Sequence, residues 1–264
     1  MVNKMQQALI KKEMRGVVKT NRFFVDYLLL PLIMALIFPI GGVLMVVLMD
    51  SSTAEFEQMM AVMMISLPAG GEDLAIIQML INNIMPTFFL MIPAFTVSVI
   101  ASSSFTGEKE RRTLETLLYS PMRLKEIFTA KVLVAFFVGM IVTMISFVMM
   151  MVLVTGLVWV LLGELFIPGW IWLVILGIVG PAFAFLGIII QVRVSAKAQK
   201  SEDAYQRGAV LVLPLVLLMI SQFTGILLIS AWMFAILGVI LAGLAWVLIK
   251  TAFRKFTYEE LLKG

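Results

Sequence analysis

Residues 107–131 read GEKERRTLETLLYSPMRLKEIFTAK, a charged, helix-prone stretch bounded on both sides by long uncharged runs. It is too polar to lie in lipid and too short to be a domain, so it presents a small helical surface to an aqueous compartment. Working outward, residues 74–107 and 132–163 hold no Asp, Glu, Lys or Arg, and neither do 27–49, 165–192 and 208–249. A charge at the bilayer centre costs about 2.5 kcal/mol or more, and a helix needs roughly 20 apolar residues to cross. Each run is therefore a membrane span. The last one, with 42 residues, would reach about 63 Å as one helix, twice the hydrocarbon thickness. It must fold back, which predicts six spans.

The distribution of charge agrees with that count. With six spans and a cytoplasmic N-terminus, the inner segments 1–26, 107–131, 192–207 and 250–264 hold 6, 6, 4 and 4 basic residues, together all 20 in the chain. The outer segments hold Asp50, Glu55, Glu57, Glu72, Asp73 and Glu164 and no base. Five spans would place Lys250, Arg254, Lys255 and Lys263 outside, against the positive-inside bias. The reading is an all-α membrane protein forming one transmembrane domain over 1–264. Its spans fall at about 27–49, 85–106, 132–157, 171–191, 207–226 and 230–249, and both termini are cytoplasmic.

Composition excludes several function classes. The chain has 264 residues, 62% of them hydrophobic and 36 charged, well under the quarter or so that a soluble domain carries. Its net charge of +4 follows from basic flanks of spans, so nucleic acid is not a partner. With no Cys and no His, disulfides, zinc sites, thiolate nucleophiles and imidazole acid–base chemistry are absent. None of the uncharged runs holds an Asp, Glu, Lys, Arg or His, which leaves an intramembrane enzyme without catalytic groups and a proton-coupled carrier without its usual carboxylate. The Met-rich outer face Phe56, Met59, Met60, Met63 and Met64 has the softness of a Cu(I) site, but Met also packs as plain apolar filler and no metal is assigned.

Local signals refine the outline. Residues 2–24 read as an interfacial helix within the 1–26 segment, with Met5, Leu9, Val17 and Phe24 on its apolar side and Lys4, Lys11, Lys12, Arg15, Lys19 and Arg22 on its basic side. Pro31 and Pro39, Pro86 and Pro93, Pro181, and Pro214 kink or locally unwind spans 1, 2, 4 and 5. Asn82 and Asn83 lie near the outer surface, and span 2 proper starts close to Met85. Span 3 has no proline and is a straight helix. Gly177, Gly180, Ala184 and Gly187 in span 4 permit close approach of another helix. Within 107–131, Glu108 with Arg112 and Arg111 with Glu115 are i,i+4 pairs, and Leu114, Leu117 and Leu118 share a face. Ser120-Pro121 then ends this amphipathic helix and starts a second, Ser as N-cap and Pro at the first position, running into span 3 as an elbow.

The stretch FTGEKERRTLETLLYSPMRLKEIFTAK resembles the loop of ABC exporter permeases of the drug, antibiotic and polysaccharide export type, the ABCG-like transmembrane domain of type V. Their pattern runs roughly G-E-[KR]-E-x-x-T-L-E-x-L-L-x-[ST]-P, then an E-I and a G-K pair. The N-terminal run KKEMRGVVKTNRFFVDYLLLPLIMALIFP is similar to the same family's approach to its first span. Ala130 stands here where the family usually has the Gly of the G-K pair, before Lys131.

The resemblance implies that 107–131 carries the coupling helix that docks on a separate cytosolic ABC ATPase. The motif falls on Glu108, Lys109, Glu110, Thr113, Leu114 and Glu115, with Arg111, Arg112, Leu117 and Leu118 completing the surface. It implies two permeases, a homodimer or a related heterodimer, with two ATPases, in a prokaryotic plasma membrane. ATP and Mg²⁺ then belong to the partner and no cofactor to this chain, which has no G-x-x-x-x-G-K-[ST] phosphate loop. Polar residues available to line a translocation path are Thr96, Ser98, Thr143, Ser146, Ser221, Gln222 and Thr224, although each also suits ordinary helix–helix hydrogen bonding. Charge-free spans favour an amphipathic or apolar cargo, such as a drug, peptide or lipid. Na⁺ efflux and a non-transporting anchor or sensor for an ATPase remain alternatives.

Overall fold

The computed structural model describes residues 4–19, 29–48, 58, 73–110, 123–198, 201–208, 210, 212–223 and 231–255. Among them are helices and turns and no strand. The amphipathic N-terminal segment forms α1 (Lys4–Lys19) and the first apolar run α2 (Leu30–Leu48). The second run is a rod built of α3 (Asp73–Met79), a π-helical segment (Leu80–Ile84), α4 (Met85–Phe89) and α5 (Met91–Glu110). Then come α6 (Leu124–Leu162), and α7 (Ile171–Val174) followed by a second π segment (Ile175–Val179) and α8 (Gly180–Lys197). The chain closes with α9 (Ser201–Gly208), α10 (Val212–Phe223) and α11 (Ala231–Lys255).

Among the described residues, five helices are long and apolar enough to cross a membrane. The fifth of the six predicted spans, 207–226, contains α10, whose 12 residues rise only about 18 Å against about 30 Å of hydrocarbon. Two helix boundaries differ from the expected breaks. The helix that contains span 2 begins well before Met85: Asp73 opens it with its carboxylate on the N-terminal dipole, and the chain stays helical for 35 residues to Gly107. The helix entering span 3 begins at Leu124 with extended Arg123 (φ −69°, ψ 142°) as N-cap, not at Pro121. Its third residue, Glu126, explains the choice: its carboxylate accepts the Arg123 backbone N–H at 3.1 Å, half of a capping box. Ser120 and Pro121 themselves, the Met-rich face at 56–64, and the turn at 224–230 lie outside the described residues.

Both π segments stand two residues before a proline, Pro86 and Pro181. A proline donates no N–H to the carbonyl four residues back, so the turn ahead of it has a spare acceptor and widens at low cost. In the second segment Gly180 N–H reaches back five residues to the Ile175 carbonyl, and a Cβ on Gly180 would lie 2.8 Å from that oxygen. The predicted local unwinding at Pro86 and Pro181 therefore takes the form of π turns. Of the four small residues in span 4, Gly180, Ala184 and Gly187 are buried within this chain, where α8 packs between α5 and α11, while Gly177 faces open space.

In packing order the bundle runs α2, α6, α5, α8, α11, with α1 also against α6. The Asp73–Gly107 rod is its centre and is largely buried. By contrast α6 exposes Phe137, Ile141, Met144, Val148 and Val152 along one face, and α11 exposes Ile236, Val239, Ile240 and Val247. Apolar faces of that extent match hydrocarbon, not water. Trp rings mark the two ends. Trp170 and Trp232 meet at 5.6 Å at the end that carries Glu164, and Trp246 lies 3.6 Å beneath the Lys250 ammonium at the basic end. From Trp232 to Lys250 is a rise of about 27 Å, close to the distance between interfacial aromatic belts.

Candidate functional site

Three helices meet at the basic end, where α5 ends at Glu110 and α6 begins at Leu124. On α6, Ile127 and Ala130 form a small apolar floor, and Leu9 of α1 is buried on it. Ala130 has 1% of its surface exposed, so a larger side chain there would push α1 away. The next residue, Lys131, points toward the end of α5. Its Nζ donates to the Ser104 carbonyl at 2.9 Å, to Ser104 Oγ at 3.1 Å and to Glu13 Oε1 of α1 at 3.3 Å. Ser104 Oγ in turn donates to Glu13 Oε2 at 3.4 Å. An ammonium has three protons, enough to serve these three acceptors. Phe105 covers the group, its ring centroid 5.8 Å from Nζ, and stacks at an angle on Phe128 at 5.4 Å.

Burial makes this junction stiff. Lys131 is 3% exposed and Glu13 16%. A charge withdrawn from water that far is tolerable only while its partners stay in place. The face of α1 that packs on the bundle is therefore Leu9, Ile10, Glu13 and Met14, while Met5 turns away from it. Val17 has no described side chain, and Phe24 lies outside the described residues. Beyond Ser104, α5 continues to Glu110, so Glu108, Lys109 and Glu110 are the last residues of the same helix, about one turn from the Lys131 cluster. Arg111, Arg112, Thr113, Leu114, Glu115, Leu117 and Leu118 lie outside the described residues.

A second contact braces the same end of α5. Gln191 on α8, 1% exposed, donates from Nε2 to the Ala204 carbonyl of α9 at 2.8 Å. Gly208 is required beside it, since a Cβ there would run into the Gln191 amide. Thus α9 lies against both α5 and α8, turning Asp203, Gln206 and Arg207 outward.

The family model for ABC-2 family transporter proteins matches residues 7–237, from the middle of α1 into α11. The chain belongs to the ABC-2 transporter family. It is a multi-pass membrane permease component of an ABC transporter, a role that pairs it with an ABC ATPase subunit. Comparison with curated proteins returned no match, and comparison with solved structures returned none either.

In this ABC-2 permease the polar residues considered for a path sit among the chain's own helices. Thr96 Oγ1 donates to the Ile92 carbonyl and Thr143 Oγ1 to the Gly139 carbonyl, both at 2.8 Å, one turn back in each helix. Ser221 Oγ does the same toward Leu218 at 2.7 Å. Ser98 and Ser146 are buried, Ser146 Oγ with no hydrogen-bond partner among the described residues, and Gln222 donates to the Asn83 carbonyl at 3.2 Å. Thr224 lies outside the described residues. The two threonine bonds belong to their own helices and do not converge on a shared opening.

Among the described residues no group of three or more metal-ligating side chains occurs. A small apolar crevice lies between α2, α4 and α6, lined by Met34, Phe38, Met85, Phe88 and Met150 among others. Glu13 and Ser104 were not legible as functional from sequence. The available signal was that Glu13 is one of two acids, with Asp26, in a 26-residue segment holding 6 bases.

Proposed function

We propose that this chain is the membrane half of an ATP-driven exporter that docks its ATPase through residues 107–131 and moves an amphipathic or apolar substrate outward. It crosses the membrane six times with both termini in the cytosol, residues 207–226, which include the short α10, forming the fifth crossing. Two copies, or this chain and a close relative, enclose the path, and ATP and Mg²⁺ reside on the partner. The observation that carries the reading is the Lys131–Ser104–Glu13 cluster. It fastens the stem of the docking loop to the start of span 3 and to the amphipathic α1, so a displacement of the loop moves three helices as one body. The charge-free spans support an apolar or amphipathic cargo, and the lone basic end supports the orientation.

Purification of the tagged permease from its native membrane tests docking. Wild type is expected to bring down an ABC ATPase, and Glu110→Lys together with Leu117→Asp is expected to lose it. Retention of the ATPase by that double variant would overturn the docking assignment. Stimulation of ATP hydrolysis in proteoliposomes by drugs, peptides, lipids or Na⁺ then separates the cargo classes, and hydrolysis without any transported species identifies an anchor.

A further inference from the structure

We infer that Gln222 is a positioning residue that latches α10 to the π segment of span 2, and that release of this latch opens the path at the end away from the ATPase. The inference rests on the transport reading for its consequence, whereas the latch itself is a matter of geometry. The π segment Leu80–Ile84 widens the rod ahead of Pro86, and Met85 N–H bonds back five residues to Leu80. Backbone carbonyls in a widened turn are accessible to outside donors. Gln222, near the end of α10 and 3% exposed, donates from Nε2 to the Asn83 carbonyl at 3.2 Å. Its Oε1 is buried with no partner among the described residues. A buried amide oxygen without a partner costs desolvation, so the contact rests on the one bond that the amide nitrogen makes.

The neighbouring residue anchors the other side. Asn82 Oδ1 accepts the Gly169 N–H at 2.8 Å, and a Cβ on Gly169 would lie 2.9 Å from that oxygen. Asn82 and Asn83 thus tie one widened turn both to the segment between α6 and α7 and to α10. The two ties differ in kind. The Gly169 tie joins segments flanked by long, packed helices. The Gln222 tie holds a 12-residue helix with Leu213, Leu217 and Ile220 turned outward and Pro214, which donates no N–H, in its first turn. Of the two, the latter is the one that a modest force releases.

Amide hydrogen exchange on the full permease in lipid nanodiscs, bound to its ATPase, reads the latch directly. Without nucleotide, Gln222→Leu is expected to raise exchange across 212–223 about tenfold, the factor that one hydrogen bond sustains. Asn83→Ala is expected to leave it unchanged, because the acceptor is backbone. Unchanged exchange in Gln222→Leu, or equal acceleration in Asn83→Ala, would overturn the latch. Trapping with ATP and vanadate is expected to bring wild-type exchange at 212–223 up to the Gln222→Leu level, with no further rise in the variant. Wild-type exchange that stays low on trapping would overturn the gating role. The docking assay reads the permease assignment separately, so that assignment survives such a result.

Discussion

Removing the carboxylate that faces Lys131 should cost more stability than any surface substitution on α1. At 3.3 Å and an effective dielectric of about 20, the pair attracts with about 5 kcal/mol. Desolvation cancels part of that, but deleting one partner leaves the other buried without compensation, and such deletions cost about 3–5 kcal/mol. The 16% exposure of Glu13 lets some water reach the site and places the expectation near about 3 kcal/mol. For a chain of this size that corresponds to an apparent Tm lowered by about 6–12 °C. Glu13→Leu and Lys131→Met are each expected to fall in that range. The double variant is expected to recover more than half of the loss, because it replaces a buried ion pair by apolar groups. Thermal unfolding in lipid nanodiscs, followed through the fluorescence of the 5 tryptophans, measures all three. Single variants within 2 °C of wild type, or a double variant that loses the sum of both, would refute the claim that Lys131 and Glu13 form one buried unit.

Other expectations follow from close contacts. Gly180→Ala should lower stability by about 1–3 kcal/mol, because its Cβ meets the Ile175 carbonyl, whereas Gly177→Ala, facing open space, should be neutral in the same unfolding assay. Asn82→Ala leaves the Gly169 N–H without its acceptor and should cost about 1–3 kcal/mol, while Asn82→Asp, which still accepts, should cost less. Gly208→Val should displace α9 from Gln191, read as faster proteolysis within 199–211 with the α1 junction unaffected. Lys131→Met should also lower ATP hydrolysis by the docked complex more than it lowers ATPase capture, since the loop sequence is intact and its stem is loosened.

Much of the fold was legible because lipid imposes coarse rules. Runs free of charge located α2, α5, α6, α8 and α11, and the positions of 20 bases set which ends belong together. Prolines 86 and 181 marked where two helices widen. The boundaries were not legible, since a helix continues past the bilayer wherever a cap or packing surface extends it. Asp73 and Glu126 do so at the starts of α3 and α6. The site was half legible. The motif Glu108–Glu110 stood out by composition, but Ser104, Glu13 and Lys131 are separated by 91 and 27 positions, and no spacing rule joins them. Ala130 shows the limit from the other side: its departure from the family's glycine was visible, and its purpose, a floor for Leu9, required α1 in place.

The central rod is held unequally at its two ends. At the basic end a buried ammonium bonds Ser104 and Glu13, and at the other a neutral amide bonds the Asn83 carbonyl beside the Asn82 tie to Gly169. Charge-assisted bonds are roughly twice as strong as neutral ones, so the first attachment outlasts the second under any load applied along the rod. On the proposed docking through 107–131, a load from the ATPase would move α1, α5 and the start of α6 together and be relieved where the rod is weakest. That point is the π segment and the turn at Leu90, where α4 gives way to α5. Straightening the rod by replacing Pro86 with Ala restores a donor for the Asn82 carbonyl and shifts the widened turn toward a regular helix. The Asn83 carbonyl is then turned away from Gln222. Exchange at 212–223 is expected to rise as it does in Gln222→Leu, even though Pro86 does not touch Gln222. A Pro86→Ala permease whose α10 stays protected would show that the latch does not depend on the π turn.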